Sequence, residues 1–165
     1  MVDLKSGHDT ATLREEDLRQ GIELMFYAYR DFTGEPDAIL EEYALGRAHH
    51  RVIYFVGRNP GISVTELLNI LRITKQSLSR VLGKLIEDGF IDQRPDPSDR
   101  RRKQLTLSDK GKALEHALTS TQMEQFVRAY CEAGADAVEG FRRVLTGIIN
   151  PEDRARVRST TRRRS

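Results

Sequence analysis

Residues 63–91 read SVTELLNILRITKQSLSRVLGKLIEDGFI, and this stretch predicts two short helices joined by a tight turn. Its first four residues have the spacing of a capping box. In that motif the hydroxyl of Ser63 accepts the N–H at the third helical position, and the side chain of Glu66 accepts the N–H of Ser63. The first helix is therefore expected to cover about residues 64–71, and a helix-turn-helix follows from the pair.

The second helix of the pair has one apolar and one polar face. Thr74 can cap it, and we expect it to run over about residues 75–88 and to end before Gly89. Its apolar side carries Leu78, Val81, Leu82, Leu85 and Ile86. Its polar residues include Lys75, Gln76, Ser77, Ser79, Arg80 and Lys84. Such side chains suit duplex DNA, because Arg and Lys reach guanine acceptors or phosphates, Gln can pair with adenine, and Ser bonds either. The alternative is a solvated helix face.

A basic hairpin is predicted directly after these helices. Residues 90–94 and 103–107 have the composition of two short strands, and residues 95–99 form a Pro-rich turn between them. Four cations follow the turn: Arg100, Arg101, Arg102 and Lys103. An arginine at such a tip can enter the minor groove of DNA, where the potential is most negative when the groove is narrow. Asp99 is expected to pair with a nearby arginine and to hold the loop in shape.

Upstream of this region the sequence predicts two further helices. The first carries Leu18, Ile22, Met25 and Tyr29 at helical spacing. Gly34 and Pro36 are expected to end it, and Asp37 can then cap a second helix. The apolar stripe of that second helix consists of Leu40, Ala44, Ala48, Val52 and Phe55.

Downstream, Ser108 can cap a helix that runs from Asp109 towards Tyr130, and Gly134 interrupts the pattern. A narrow apolar seam of the kind that packs against a partner helix then follows, formed by Val138, Phe141, Leu145 and Ile148. Residues 150–151, Asn-Pro, are expected to end it and to leave an Arg-rich tail.

Charge is unevenly distributed, although the net charge is only +2. Residues 1–45 hold 4 basic and 11 acidic side chains, a balance of −7, and residues 46–107 hold 12 basic and 6 acidic, a balance of +6. Residues 151–165 hold 6 arginines and 2 acidic residues, a balance of +4. A basic middle beside an acidic flank suggests a local surface for a polyanion, and ordinary fluctuation of a solvated surface is the alternative.

Other classes of protein find little support. No apolar run reaches the roughly 18–20 residues of a membrane span, residues 1–10 lack the apolar region of a signal peptide, and the single Cys131 cannot form an internal disulfide, so we expect a cytoplasmic protein. We find no Gly-rich phosphate loop, nucleophile elbow or paired carboxylates, so we expect no enzyme and no cofactor. The adjacent His49 and His50 point about 100° apart on a helix and make a poor metal pair.

The ordered motifs of residues 37–118 resemble the MarR family of bacterial regulators. The resemblance rests on the stretches Asn59–Leu67, Ile73–Arg80, Leu85–Ile91, Asp96–Arg101 and Leu105–Gly111. The segment 26–51, with Tyr29-Arg30-Asp31-Phe32 and Gly46-Arg47-Ala48-His49-His50, is similar to a PetP-like subgroup.

This resemblance implies a mainly α-helical fold with a small β-hairpin wing, in which N- and C-terminal dimerisation helices flank a winged helix-turn-helix. It implies a homodimer on a palindromic operator, with the second helix of the pair in the major groove and Arg101 in the minor groove, braced by Asp99. It also implies, in many members, a small-molecule or redox signal. Residues 10–36 would be the N-terminal dimerisation helix, 37–118 the DNA-binding domain, 119–150 the C-terminal dimerisation helices and 151–165 a basic tail.

The predicted DNA-binding residues are Ser63, Thr65, Thr74, Lys75, Gln76, Ser77, Ser79, Arg80, Lys84, Arg94, Arg100, Arg101 and Arg102. The predicted dimer interface consists of Leu18, Ile22, Met25, Tyr29, Val138, Phe141, Leu145 and Ile148. Two alternatives stay open: a winged-helix adaptor that binds proteins without touching DNA, and a small-molecule binding protein. An effector pocket, if present, would be lined by Tyr27, Tyr29, Phe32, Tyr43, Tyr54 and Phe55, which could equally be core residues. Cys131 could sense oxidation, although a buried structural cysteine is the commoner case.

Overall fold

The structure, a computed structural model, describes residues 2–6 and 9–162, with side chains over residues 14–157. The chain forms two units, Met1–Gln122 and Met123–Ser165. Its elements are β1 (Val2–Ser6), β2 (Asp9–Leu13), α1 (Glu15–Glu41), α2 (Arg47–Arg58), β3 (Ile62–Ser63), α3 (Val64–Leu71), α4 (Lys75–Glu87), β4 (Ile91–Pro95), β5 (Lys103–Leu107), α5 (Asp109–Ala133), α6 (Ala135–Ile148) and α7 (Pro151–Arg162). The predicted fold class, mainly α with a small antiparallel wing, is confirmed.

Helix α1 is longer than the sequence predicted. It passes through both Gly34 and Pro36 and ends at Glu41, so the prediction that these residues end it, and that Asp37 caps the next helix, was wrong. Proline inside a helix leaves the carbonyl four residues earlier without its usual N–H donor. Here that carbonyl belongs to Phe32, and the side-chain amide of Gln122 donates to it at 3.3 Å. A residue 90 positions away thus offsets a local signal that favours a break.

The break between α1 and α2 lies instead at residues 42–46. The N–H of Leu45 donates to the carbonyl of Leu40, and that of Ala44 donates to Glu41, both at 3.0 Å. These are the two hydrogen bonds of a Schellman motif, with Ala44 in the left-handed conformation at φ 52°. The motif most often uses glycine at that position, which explains why an alanine there gave no sequence signal.

The helix-turn-helix is confirmed as α3 and α4. The Ser63 hydroxyl accepts the N–H of Glu66 at 3.2 Å, and the Glu66 carboxylate accepts the N–H of Ser63 at 2.9 Å, which completes the predicted capping box. The hydroxyl of Thr74 accepts the N–H of Ser77 at 3.1 Å at the start of α4. Gly89, at φ 76°, follows the end of α4 and turns the chain into β4.

A three-stranded antiparallel sheet stands beside these helices, with strand order β3-β5-β4. Strands β4 and β5 are the predicted hairpin, with Ile91 opposite Leu107 and Pro95 opposite Lys103. The short third strand, β3, was not predicted, because two residues are too few to show an alternating pattern. The β1–β2 hairpin at the N-terminus was also not predicted.

One hydrophobic core supports the helix-turn-helix and the sheet of the first unit. Leu67 on α3, Leu78 and Leu85 on α4, and Leu105 on β5 are fully buried. The same cluster includes Val52 and other residues of α2, and Leu114 and Leu118 of α5. Helix α4 is therefore anchored along its whole apolar side, and its other side is left for solvent or a ligand.

The second unit contains the end of α5 together with α6 and α7. Phe126, Tyr130 and Phe141 form an aromatic cluster with ring centroids 5.3–6.3 Å apart. The Arg-rich segment predicted as a tail is helical as far as Arg162. Pro151 suits the first position of α7, because a backbone N–H at that position would have no acceptor within the helix and proline has none to lose. The Arg154 guanidinium donates to the carbonyls of Ile149 and Gly147 at 2.9 and 2.8 Å, which joins the two helices at their corner.

Candidate nucleic-acid interface

The exposed side of α4 forms the first half of the candidate interface. Burial of the apolar side of this helix leaves its polar residues facing outward, and the exposed members of the predicted set are Lys75, Gln76, Ser79 and Arg80. Thr74, at the N-terminal end of the helix, is also exposed. That end also supplies backbone N–H groups that favour a phosphate. The residue types and their exposure therefore match what the sequence analysis required of this face.

Two predicted residues on α4 are less accessible. Ser77 is half-buried, and its hydroxyl receives a hydrogen bond from the Thr74 hydroxyl at 2.9 Å. Lys84 is half-buried as well, and its ammonium forms an ion pair with Asp88 at 2.9 Å. This pair lowers the pKa of Asp88 below its ordinary value, because the ammonium donates a hydrogen bond to the charged carboxylate. The ion pair with Asp88 therefore competes with any phosphate contact of Lys84.

Ser63 does not fit its predicted role as a DNA contact. It is buried, with 7% of its surface exposed, and its hydroxyl donates to Glu66 at 2.6 Å. The capping box uses the only hydrogen of this hydroxyl, so the side chain has no donor left for a phosphate. Thr65, two residues further along α3, is exposed and keeps the predicted position at the surface.

The wing tip, residues 96–102, forms the second half of the interface. Asp99 accepts hydrogen bonds from the backbone N–H of Arg101 at 3.1 Å and from its guanidinium at 3.2 Å. The predicted pairing of Asp99 with a nearby arginine is thus present. The Arg101 side chain is 92% exposed despite this contact, so most of the guanidinium stays available to a partner. The other predicted wing cations, Arg94, Arg100 and Arg102, are also exposed.

A joint between α4, the wing and α5 was only partly foreseen from the sequence. Ser108 caps α5 as predicted, accepting the N–H of Gly111 at 3.0 Å, and it also donates to the carbonyl of Gly89 at 2.6 Å. Lys110 was not singled out. Its ammonium donates to the carbonyl of Asp88 at 2.7 Å and lies 4.2 Å from the centre of the Phe90 ring. A cation at the C-terminal end of α4 is favoured by the helix dipole, and Lys110 fixes the end of that helix.

The two adjacent histidines lie on α2 beside charged neighbours. Burial lowers the pKa of His49, and the nearby ammonium of Lys84 adds to that effect. Burial also lowers the pKa of His50. Both therefore favour the neutral form. Across residues 14–157, no group of three or more His, Cys, Asp or Glu side chains lies close enough to hold a metal ion; His8 lies outside the described residues.

Several large apolar side chains are exposed on both units. On α1 they include the predicted interface residues Leu18, Ile22, Met25 and Tyr29. On α6, Phe141 and Ile148 are exposed, whereas Val138 and Leu145 are half-buried. Exposed apolar surface of this extent on one helix typically marks an interaction surface.

Two features bear on a possible effector. Cys131 is exposed, and the expectation that it is a buried structural residue was wrong. Of the six aromatic residues considered for a pocket, Phe32, Tyr54 and Phe55 are half-buried, and Tyr27, Tyr29 and Tyr43 are exposed. The Tyr43 ring packs edge-to-face on the core residue Phe90 at 5.7 Å, which is the packing role rather than a pocket lining.

Among the described residues, no helix is both long enough and apolar enough to span a membrane.

Known proteins share both the sequence motifs and the fold. The model of the MarR family matches residues 45–102. The HTH-type transcriptional regulator PetP of Rhodobacter capsulatus is 48% identical over 145 residues, which cover 88% of this chain and 87% of that protein. The crystal structure of MarR superposes with a TM-score of 0.63 at 23% identity, covering 90% of this chain and 98% of that one. A crystal structure of a complex between S. aureus MepR and DNA superposes with a TM-score of 0.61 at 19% identity, covering 83% and 97%.

Proposed function

This chain belongs to the MarR family of winged-helix transcriptional regulators, as its motifs predicted, and we propose that it acts as a homodimer on a palindromic operator. DNA-binding regulation of transcription is the function of the family, and the chain is a regulator and not an enzyme. The proposal concerns how it engages DNA. Operators lie on the chromosome, so we place its action in the cytoplasm.

One observation carries the mode of binding. A core-anchored helix exposes Gln76 and Arg80, while a hairpin in the same unit exposes Arg101 on an aspartate brace. We propose that α4 enters the major groove, where Gln76 and Arg80 contact base edges, and that Arg101 enters the adjacent minor groove. Lys75 and the cations flanking Arg101 would bind phosphates and set affinity without sequence preference.

The oligomeric state is proposed from the exposed apolar residues of α1 and α6. Ile22 is 71% exposed and Ile148 is 65% exposed, and a second copy of the chain would bury both. Two DNA-binding units related by a two-fold axis would read half-sites about one helical turn apart, roughly 10 bp from centre to centre.

The experiment is a titration of the protein against the promoter of its own gene. Arg80→Ala and Arg101→Ala are each expected to weaken binding, by about 1–3 kcal/mol where the arginine contacts a base. The apparent affinity should also fall steeply with salt, because phosphate contacts release counterions. Arg19→Ala, on an exposed arginine of α1 that pairs with Glu15 at 2.7 Å, is the control and should bind as the wild type does.

Unchanged affinity in both the Arg80 and Arg101 variants would contradict the proposed reading surface. An apparent affinity that does not change with salt concentration would contradict the proposed contact between the wing and DNA. An adaptor that binds only proteins would give no shift with this promoter or with any other duplex.

A further inference from the structure

Asp96 closes the wing tip at both of its ends. Its carboxylate oxygen Oδ1 accepts hydrogen bonds from the backbone N–H of Ser98 at 2.8 Å and from the Ser98 hydroxyl at 2.6 Å. Its own N–H donates to the carbonyl of Arg102 at 2.9 Å. The side chain therefore fixes the turn that follows Pro95, and the backbone ties the first residue of the tip to the last one. An aspartate that bonds the backbone two residues on is a common way to stabilise such a turn.

A second turn is built on the first. The carbonyl of Asp99 accepts the N–H of Arg102 at 2.8 Å, while its carboxylate holds Arg101 by both the backbone and the guanidinium. The position of Asp99 depends on the path of residues 97–98, and Asp96 holds that path. The direction of Arg101 therefore depends on two aspartates in series, of which only Asp99 contacts it directly.

Electrostatics alone would oppose an aspartate at this place. Hydrogen bonds to its carboxylate lower the pKa of Asp96 below its ordinary value. The largest effect comes from the Ser98 hydroxyl and the next from the Ser98 N–H. Asp96 is therefore ionised at neutral pH and adds a negative charge to a surface that meets phosphates. This charge by itself should weaken DNA binding. If Asp96 strengthens binding, it must do so through the conformation that it gives to the wing tip.

We propose that Asp96 is a positioning residue for DNA binding, which orders the wing tip so that Asp99 can hold Arg101 in place for the minor groove. The proposal rests on the proposed function, because it takes the wing to be a DNA contact. It gives a role in DNA binding to a residue that would not contact DNA and whose negative charge alone would weaken binding.

The test compares three variants by fluorescence anisotropy on the promoter duplex. Asp96→Ala is expected to weaken binding by roughly fivefold to tenfold, as expected for loss of a contact that acts through a neighbour. Asp96→Asn keeps an oxygen acceptor for Ser98 and should stay within about twofold of the wild type. Asp92→Ala is the matched control. It removes an exposed carboxylate from β4 of the same hairpin and should bind as tightly as the wild type or more tightly.

A double-mutant cycle with Arg101→Ala separates positioning from a general effect on the fold. Once Arg101 is absent, Asp96→Ala should cost little further affinity, so that the double variant binds within about twofold of Arg101→Ala alone. A thermal melt of each variant checks that the protein remains folded.

The outcomes are distinct. Binding by Asp96→Ala that equals or exceeds that of the wild type overturns the inference, as do losses that simply multiply in the double variant. Either result would leave the proposed function intact if the wild type and Asp92→Ala bind the promoter. Absence of binding by the wild type would overturn both proposals.

Discussion

Two single residues, Pro36 and Gly111, derive their roles from contacts that are distant in sequence. Pro36 remains inside α1 because Gln122 supplies a donor for the carbonyl of Phe32. Gly111 is required for a different reason. A Cβ built at this position would clash with the carbonyl oxygen of Phe90, which is a backbone atom that cannot rotate away. Because the two backbones approach closely here, the Ser108 hydroxyl can reach the carbonyl of Gly89, which joins the start of α5 to the end of α4.

We predict that Gly111→Ala destabilises the fold, by about 1–3 kcal/mol from overpacking against the Phe90 backbone. Gly83→Ala is the control, because a Cβ there meets nothing within 4 Å and lies in the interior of a helix. Alanine at that position should stabilise the protein by about 0.5–1 kcal/mol. Urea denaturation measures both values. A Gly111 variant as stable as the wild type would show that the joint between α4 and α5 is loose.

At the scale of elements, the start of α3 assigns the stability of the helix and the predicted DNA contact to different side chains. Ser63 and Thr65 are two residues apart, and the sequence predicts a DNA contact for both of them. The structure buries Ser63 in a complete capping box and leaves Thr65 exposed. Because the two roles rest on different atoms, they can be measured independently.

We predict that Ser63→Ala lowers the free energy of unfolding by about 1 kcal/mol, since it removes the cap of α3. The intrinsic affinity of the folded protein for DNA should stay unchanged. Thr65→Ala should change stability by less than about 0.5 kcal/mol, as surface substitutions usually do, and should weaken DNA binding if its hydroxyl meets a phosphate. Chemical denaturation and a DNA titration of both variants provide the measurement. A reversed pattern would return Ser63 to the interface.

For the whole molecule, the question is what covers the exposed apolar residues of α1 and α6. The first unit has its own core, centred on α2 to α5, and the apolar residues of α1 that face solvent stand outside it. A partner subunit would bury them and would place a second α4 and a second wing on the same duplex. Dimerisation and DNA affinity should therefore change together.

We predict that Ile22→Glu shifts the protein from dimer to monomer, because a carboxylate would have to be buried at the interface without a partner. Sedimentation velocity at micromolar concentration measures the change, and circular dichroism confirms that the helices persist. DNA affinity should fall as the two half-sites are no longer bound together. Gln20→Glu adds the same charge on another face of α1 and should leave the dimer intact. A dimer of unchanged strength in the Ile22 variant would exclude this face of α1 from the interface.

Most of the helix-turn-helix and the wing could be predicted from sequence. The capping box at Ser63, the cap at Thr74, the polar side of α4 and the Asp99–Arg101 pair each depend on residues at most four positions apart. Such spacing is visible in the chain itself, because local hydrogen bonds and helical periodicity act over one turn. The family resemblance follows from the order of these local signals.

Tertiary structure decided what local signals could not express. It carried α1 through Gly34 and Pro36, added β3 to the sheet and removed Ser63 from the surface. It also showed the hydrogen bonds that Asp96 accepts from Ser98 at the wing tip and the one that Lys110 donates to the end of α4. At Pro36 a contact from a residue 90 positions away outweighs a local preference of about 3 kcal/mol, and at Ser63 the burial of the side chain decides its role; neither can be read from neighbouring residues.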